Sequence, residues 1–178
     1  MTLDTLVDQP LNPEEVNLRG QAVEMFARLE RSLDSVIANY YTPDHALRSY
    51  FSFDLLMSEG FSFSLRREAF EAIVRRHDWF DEKRMQHLRK AGRWRNFLAH
   101  VAGMEHHEYD AKRSPPIKVG FRDPKPPHKA VTVAEAFDQF KPACIEADVY
   151  VSEVLSKILT LDEDGNWRHI VDVPFDVE

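Results

Sequence analysis

Arg89-Lys90-Ala91-Gly92-Arg93-Trp94-Arg95-Asn96-Phe97-Leu98-Ala99-His100-Val101-Ala102-Gly103 is the stretch from which the rest of this 178-residue sequence is best read. On a helix over residues 85–102, at about 100° per residue, Arg89, Arg93, Asn96 and His100 follow at steps of four, three and four and share one polar stripe. Leu88, Ala91, Trp94, Leu98, Val101 and Ala102 form the apolar side expected of a helix packed on a core. Gly103 is a natural C-terminal stop. Such a helix has one side for packing and one side for chemistry, and its cations suit a phosphate.

Within this stretch, Arg95-Asn96-Phe97-Leu98-Ala99-His100 resembles the signature of the HEPN superfamily, an arginine, four to six intervening residues and then a histidine, with asparagine commonly following the arginine. The resemblance covers the motif and a chain made of long helices. It implies a dimeric helical bundle in which two copies of the motif meet at the subunit interface. It also implies a metal-independent endoribonuclease of the kind found in toxin–antitoxin, phage-defence and RNA-processing systems, although other members keep the fold and do no chemistry. The residues carried over are Arg95, Asn96 and His100 as catalytic; Arg89 and Arg93, read from the polar stripe itself, are the expected RNA contacts. No metal and no cofactor are expected. The expected partners are RNA, a second copy of the chain and an antitoxin or other regulatory protein, with no membrane.

The residue types suit that chemistry in their own right. Cleaving RNA without a metal needs a base for the 2′-hydroxyl proton and positive charge where the phosphorane develops. Histidine, with a reference pKa of about 6.5, fits the first role, and arginine, which grips two phosphate oxygens at once, fits the second. Asn96, four residues before His100, is placed to hold the imidazole or the phosphate. The products would be a 2′,3′-cyclic phosphate and a 5′-hydroxyl. Arg95 and His100, five residues apart, sit roughly 140° apart on one helix and converge poorly. A second copy crossing at a two-fold axis would bring both pairs into one cleft, and the small residues Gly92, Ala99 and Ala102 would permit a close approach. Arg93, about 20° from His100 around the helix, is the alternative partner.

Composition sets the wider bounds. A chain that is 43% hydrophobic and 30% charged fits one domain over residues 1–178. No apolar run approaches the ~18 residues of a membrane span, and the first residues do not read as a leader, so a cytoplasmic location is expected. The single cysteine, Cys144, excludes an intrachain disulfide and reads as a small core residue. Net charge is −7, yet residues 66–100 carry ten Lys or Arg against five Asp or Glu, a local +5, which leaves −12 on the remainder. A basic segment inside an acidic protein favours a local anionic ligand over general coating of nucleic acid.

The sequence predicts an all-α, up-and-down bundle of four to five helices with a small β-hairpin or irregular insertion before the last long helix. Residues 1–11 read as a loose arm. Asn12, Pro13 and Glu15 open a first helix over about 13–41, with Val16, Val23, Phe26, Leu29, Leu33, Val36, Ile37 and Tyr40 at helical spacing. Thr42-Pro43-Asp44 begins a second helix to about residue 59, whose Tyr50, Phe51, Phe53, Leu55, Leu56 and Met57 read as core. A third runs from near Ser64 to Arg76, and residues 77–80 turn into the motif helix, with His77 read as a turn histidine. Residues 104–131 form a Pro-rich insertion in which 117–121 and 130–133 could pair as strands. Its Glu105, His106, His107, Glu108 and Asp110 lack the spacing of a metal motif. Thr132 and Glu135 cap a last helix expected to pack along the first, with Pro142 inside it. The tail, 161–178, has six acids to one arginine, with a possible strand at 170–173. Three readings follow: a HEPN ribonuclease, a non-catalytic HEPN module that binds nucleic acid or nucleotide, and a helical protein-interaction domain.

Overall fold

The Asn12 side chain accepts a hydrogen bond from the Glu14 amide at 3.0 Å, and Pro13 takes a first-turn position where its missing N–H costs nothing. From this start helix α1 runs Pro13–Tyr41. The computed structural model describes residues 12–42, 44–58, 60–100, 132–161 and 167–169. After α1 come α2 (His45–Tyr50), which continues into a π-helical turn (Phe51–Leu56), then α3 (Phe63–Arg76), α4 (Glu82–His100) and α5 (Val133–Ile158). A short antiparallel hairpin follows, β1 (Leu159–Leu161) with β2 (Trp167–His169), Leu159 opposite His169 and Leu161 opposite Trp167. The expected N-terminal arm, the Pro-rich insertion with its candidate strands and metal-type residues, and the 170–173 strand lie outside the described residues.

The fold is the all-α up-and-down bundle that the periodicity predicts. Asp34 meets Arg66 and Tyr40 meets His77, so α3 runs parallel to α1. Met25 meets Cys144 and Ser32 meets Asp148, which makes α5 parallel to α1 as well. Arg84 meets Glu153 and Lys90 meets Gln139, so α4 runs against α5. The return leg between α1 and α3 is short, made only of α2 and the π-helical turn. Among the described residues no helix is long and apolar enough to cross a membrane.

The core forms where the apolar stripes face one another. Phe26, Leu29, Leu33, Val36, Ile37 and Tyr40 of α1 are buried against Phe140, Ala147, Val151, Val154 and Ile158 of α5. Phe70, Ile73 and Val74 of α3 and Met85, Leu88 and Ala91 of α4 close the core. Each fully buried large side chain contributes roughly 1.5–3 kcal/mol relative to exposure. Cys144 is buried as expected, and burial pushes its thiol up to about 12. Val16 and Val23, expected in the α1 stripe, are exposed; they lie some 80–110° from its centre, at about 100° per residue, beyond the strip that α5 covers.

Two other expectations are corrected. Thr42 closes α1, its amide bonding Ala38 O at 2.9 Å, and the cap of α2 is Asp44, which accepts from Ala46 N at 2.8 Å. Most of the aromatic band of the second helix is not core: Tyr50, Phe53, Leu55 and Met57 are 45–68% exposed, while Leu56 is fully buried and Phe51 packs partly buried against the core. The short leg explains this, because a helix with apolar residues nearly all round needs neighbours on every side, and this one has the bundle on one side only.

Arg66 holds the short leg to the bundle. Its Nε donates to Asp34 Oδ1 at 2.7 Å, its Nη2 to Asp34 Oδ2 at 3.3 Å and to Leu56 O, and its Nη1 to Phe61 O. One guanidinium thus ties α1, the end of the π-helical turn and the start of α3. Gly92 of α4 is buried because the Phe63 ring of α3 lies against it, where a Cβ would come within 2.6 Å of the ring. Its smallness therefore serves packing inside the chain.

The turn from α3 to α4 is a Schellman cap. Trp79 N bonds Val74 O at 2.8 Å, Asp78 N bonds Arg75 O at 3.4 Å, and Asp78 takes φ 56°. Glycine adopts that conformation without a Cβ penalty. Asp78→Gly is therefore expected to leave stability unchanged or raise it by up to about 1 kcal/mol, and Asp78→Val to lower it, in urea titrations.

Candidate functional site

Helix α4 is held at its start by α5 and near Leu98 by α1. At its start, Asp81 Oδ1 accepts from Arg84 N at 3.1 Å, and the Tyr150 hydroxyl of α5 donates to Trp79 O at 2.8 Å while accepting from Asp81 N at 3.3 Å. The Arg84 guanidinium pairs with Glu153 of α5. Further along, Arg19 of α1 donates to Leu98 O at 2.5 Å, which ties the motif turns to α1. Met85, Leu88, Ala91 and Leu98 supply the packing side, while Trp94 is only partly buried.

The predicted residues fall in two places on this helix. Arg95 lies half-buried in the seam with α1, its guanidinium carbon 5.2 Å from the centre of the Phe26 ring. Its Nη1 donates to Asn96 Oδ1 at 3.2 Å. Glu30 of α1 lies in the field of both Arg66 and Arg95; burial pushes its carboxyl above the usual range, and the two arginines oppose that rise. Arg95 therefore points toward the α1 side, as its position around the helix requires, and is steadied by a ring, an amide and a carboxylate. Asn96 is exposed. The backbone of His100 is the last residue of α4, and its side chain lies outside the described residues.

The two expected RNA contacts differ. Arg89 is engaged by two carboxylates, Glu82 at 2.7 Å and Glu71 at 3.5 Å. The hydrogen bond from Arg89 holds the Glu82 carboxyl below its usual range and raises Arg89 in return. A phosphate at Arg89 would have to displace these partners. Arg93 is exposed and meets no carboxylate among the described residues. Arg93 is thus the cation of the polar stripe open to an anion.

His77 proves to be a turn histidine: its Nε2 lies 2.9 Å from the Tyr40 hydroxyl and its ring stacks on Trp79 at 4.7 Å, while Asp78 points to solvent. Among the described residues no group of three His, Cys, Asp or Glu side chains is gathered as metal ligands would be. Two features escape sequence reasoning. Arg19, 79 residues before Leu98, comes to the motif helix only through the fold. A groove of about 480 Å³ between α1 and α5, lined in part by Arg28, Arg31 and Ser35, opens on the far side of α1 from Phe26; its arginines lie in the segment whose net charge is acidic. No family model, curated protein or solved structure matches this chain.

Proposed function

We propose that this protein is a metal-independent endoribonuclease of the HEPN type. The observation that carries the reading is the Arg95–Asn96 pair, hydrogen-bonded side chain to side chain on a helix held to α1 and α5, with His100 in helical register after it. His100 takes the 2′-hydroxyl proton, the freed oxygen attacks the adjacent phosphorus, and the 5′-oxygen leaves and takes up a proton. Arg95 stabilises the phosphorane charge, Asn96 orients the imidazole or the phosphate, and Arg93 holds a neighbouring phosphate. The wide angle between Arg95 and His100 calls for two copies of α4 at a shared cleft, hence a homodimer. A toxin or phage-defence role, restrained by a partner protein in the cytoplasm, belongs to the same reading.

The second reading is a non-catalytic module that binds nucleic acid or nucleotide. It draws on Arg95 itself, whose contacts with Phe26 and Asn96 also suit an arginine that packs a seam. One experiment separates the two: purified protein is incubated with mixed cellular RNA in excess chelator and the new ends are analysed. Ribonuclease activity yields 2′,3′-cyclic phosphate ends; RNA bound but intact gives the second reading.

A further inference from the structure

Lys90, Arg93, Trp94 and Phe97 fall within about 100° of one another around α4. Trp94 and Phe97 meet edge to face, their ring centres 5.6 Å apart at 79°. Both rings rest on the core and keep part of their surface in solvent. Arg66, Arg75, Arg84 and Arg89 each meet a carboxylate. Lys90 instead donates to the neutral Gln139 at 2.9 Å, and neither Lys90 nor Arg93 meets a carboxylate among the described residues. Among the described residues, this face therefore combines two partly open aromatic rings with two positive charges that meet no carboxylate.

We propose that Trp94 and Phe97, flanked by Arg93 and Lys90, form a platform on which single-stranded RNA stacks its bases beside the motif. The proposal rests on the RNA reading above and adds the form of RNA that is taken. An unpaired base offers a π-face to a ring, and its neighbouring phosphates meet the guanidinium and ammonium groups. A duplex keeps its bases stacked on one another and offers the rings nothing. The platform also lies where a substrate must pass: the His100 position is about 20° from Arg93 around the helix, so a strand lying across Phe97 and Arg93 leads to the motif. Trp94 and Phe97 are positioning residues.

The test uses the full chain carrying His100→Ala, so that RNA stays intact, and a short fluorescein-labelled oligoribonucleotide, either single-stranded or annealed to its complement. The single strand is expected to bind more tightly than the duplex. Trp94→Leu, which keeps apolar volume against the core but removes the π-face, is expected to weaken single-strand binding by about 5- to 150-fold. Trp94→Phe is expected to retain most of the affinity, and Arg93→Ala to lower the slope of log affinity against log salt by about 0.7. Should Trp94→Leu lower the melting temperature, Phe97→Leu gives the same readout from the second ring. Equal affinity for duplex overturns the proposal. Unchanged binding by both leucine variants, with Arg93→Ala still weakening it, removes the platform and leaves the RNA reading standing. Absence of binding to either form removes both.

Discussion

Arg66→Met is expected to cost about 3–5 kcal/mol of stability, because it leaves Asp34 as an unpaired, largely buried carboxylate and frees two backbone carbonyls. For a chain of this size the melting temperature should fall by roughly 6–20 °C. The Arg66 and Asp34 side chains are 12% and 22% exposed, so water screens the pair weakly. The expected defect depends on pH, with a sign that can be worked out. Burial pushes the Asp34 carboxyl above its usual 3.8, and the Arg66 hydrogen bond and charge oppose that rise. A raised folded pKa contributes stability that is complete below the unfolded value and lost as pH rises through the folded value. Removing Arg66 raises the folded value further, so the loss should be smallest near pH 3–4 and grow toward neutrality. Urea midpoints of parent and variant across this range make the test. Adding Asp34→Asn to Arg66→Met should recover part of the loss, since a neutral amide is less costly to bury. A pH-independent defect would show that the lost carbonyl contacts dominate.

Periodicity alone makes most of the bundle legible. The α1 limits, the Thr132–Glu135 capping box and the α5 stripe from Phe137 to Ile158 all appear in the structure. These are properties of single helices, where a residue's neighbours lie three or four positions away. What periodicity missed depends on partners distant in sequence. Tyr50, Phe53 and Met57 read as core because they are apolar, but burial requires an opposing surface, and the short leg has one on one side only. The packing role of Gly92 is hidden from the sequence for a related reason: the ring that fills its place belongs to Phe63, 29 residues earlier. At the candidate site, the direction of Arg95 followed from helix geometry alone. Its seat on Phe26, the capture of Arg89 by Glu71 and the arrival of Arg19 at Leu98 did not, because each joins different helices.

RNA incubated with the His100→Ala variant in excess chelator is expected to show no cyclic-phosphate ends above background, a loss of about 10²–10⁴-fold in cleavage rate if the imidazole is the base. This test depends on the variant remaining folded. Met85, Leu88 and Ala91 carry the buried packing of α4, and an unchanged melting temperature would confirm an intact bundle. Arg95→Lys sharpens the assignment. Lysine keeps the charge but lacks the planar fork, so it can meet one phosphate oxygen where arginine meets two, and activity should fall with it. Because Arg95 also lies over the Phe26 ring, the same substitution should cost about 0.5–1 kcal/mol of stability. Cleavage must therefore be measured well below the melting temperature. Full activity in Arg95→Lys with loss in Arg93→Ala would transfer the phosphate-gripping role to Arg93, the exposed cation that shares the His100 side of the helix. Mixing His100→Ala with Arg95→Ala chains then tests the composite cleft: a mixed dimer carries one intact arginine and one intact histidine, and recovered activity requires that they come from different copies.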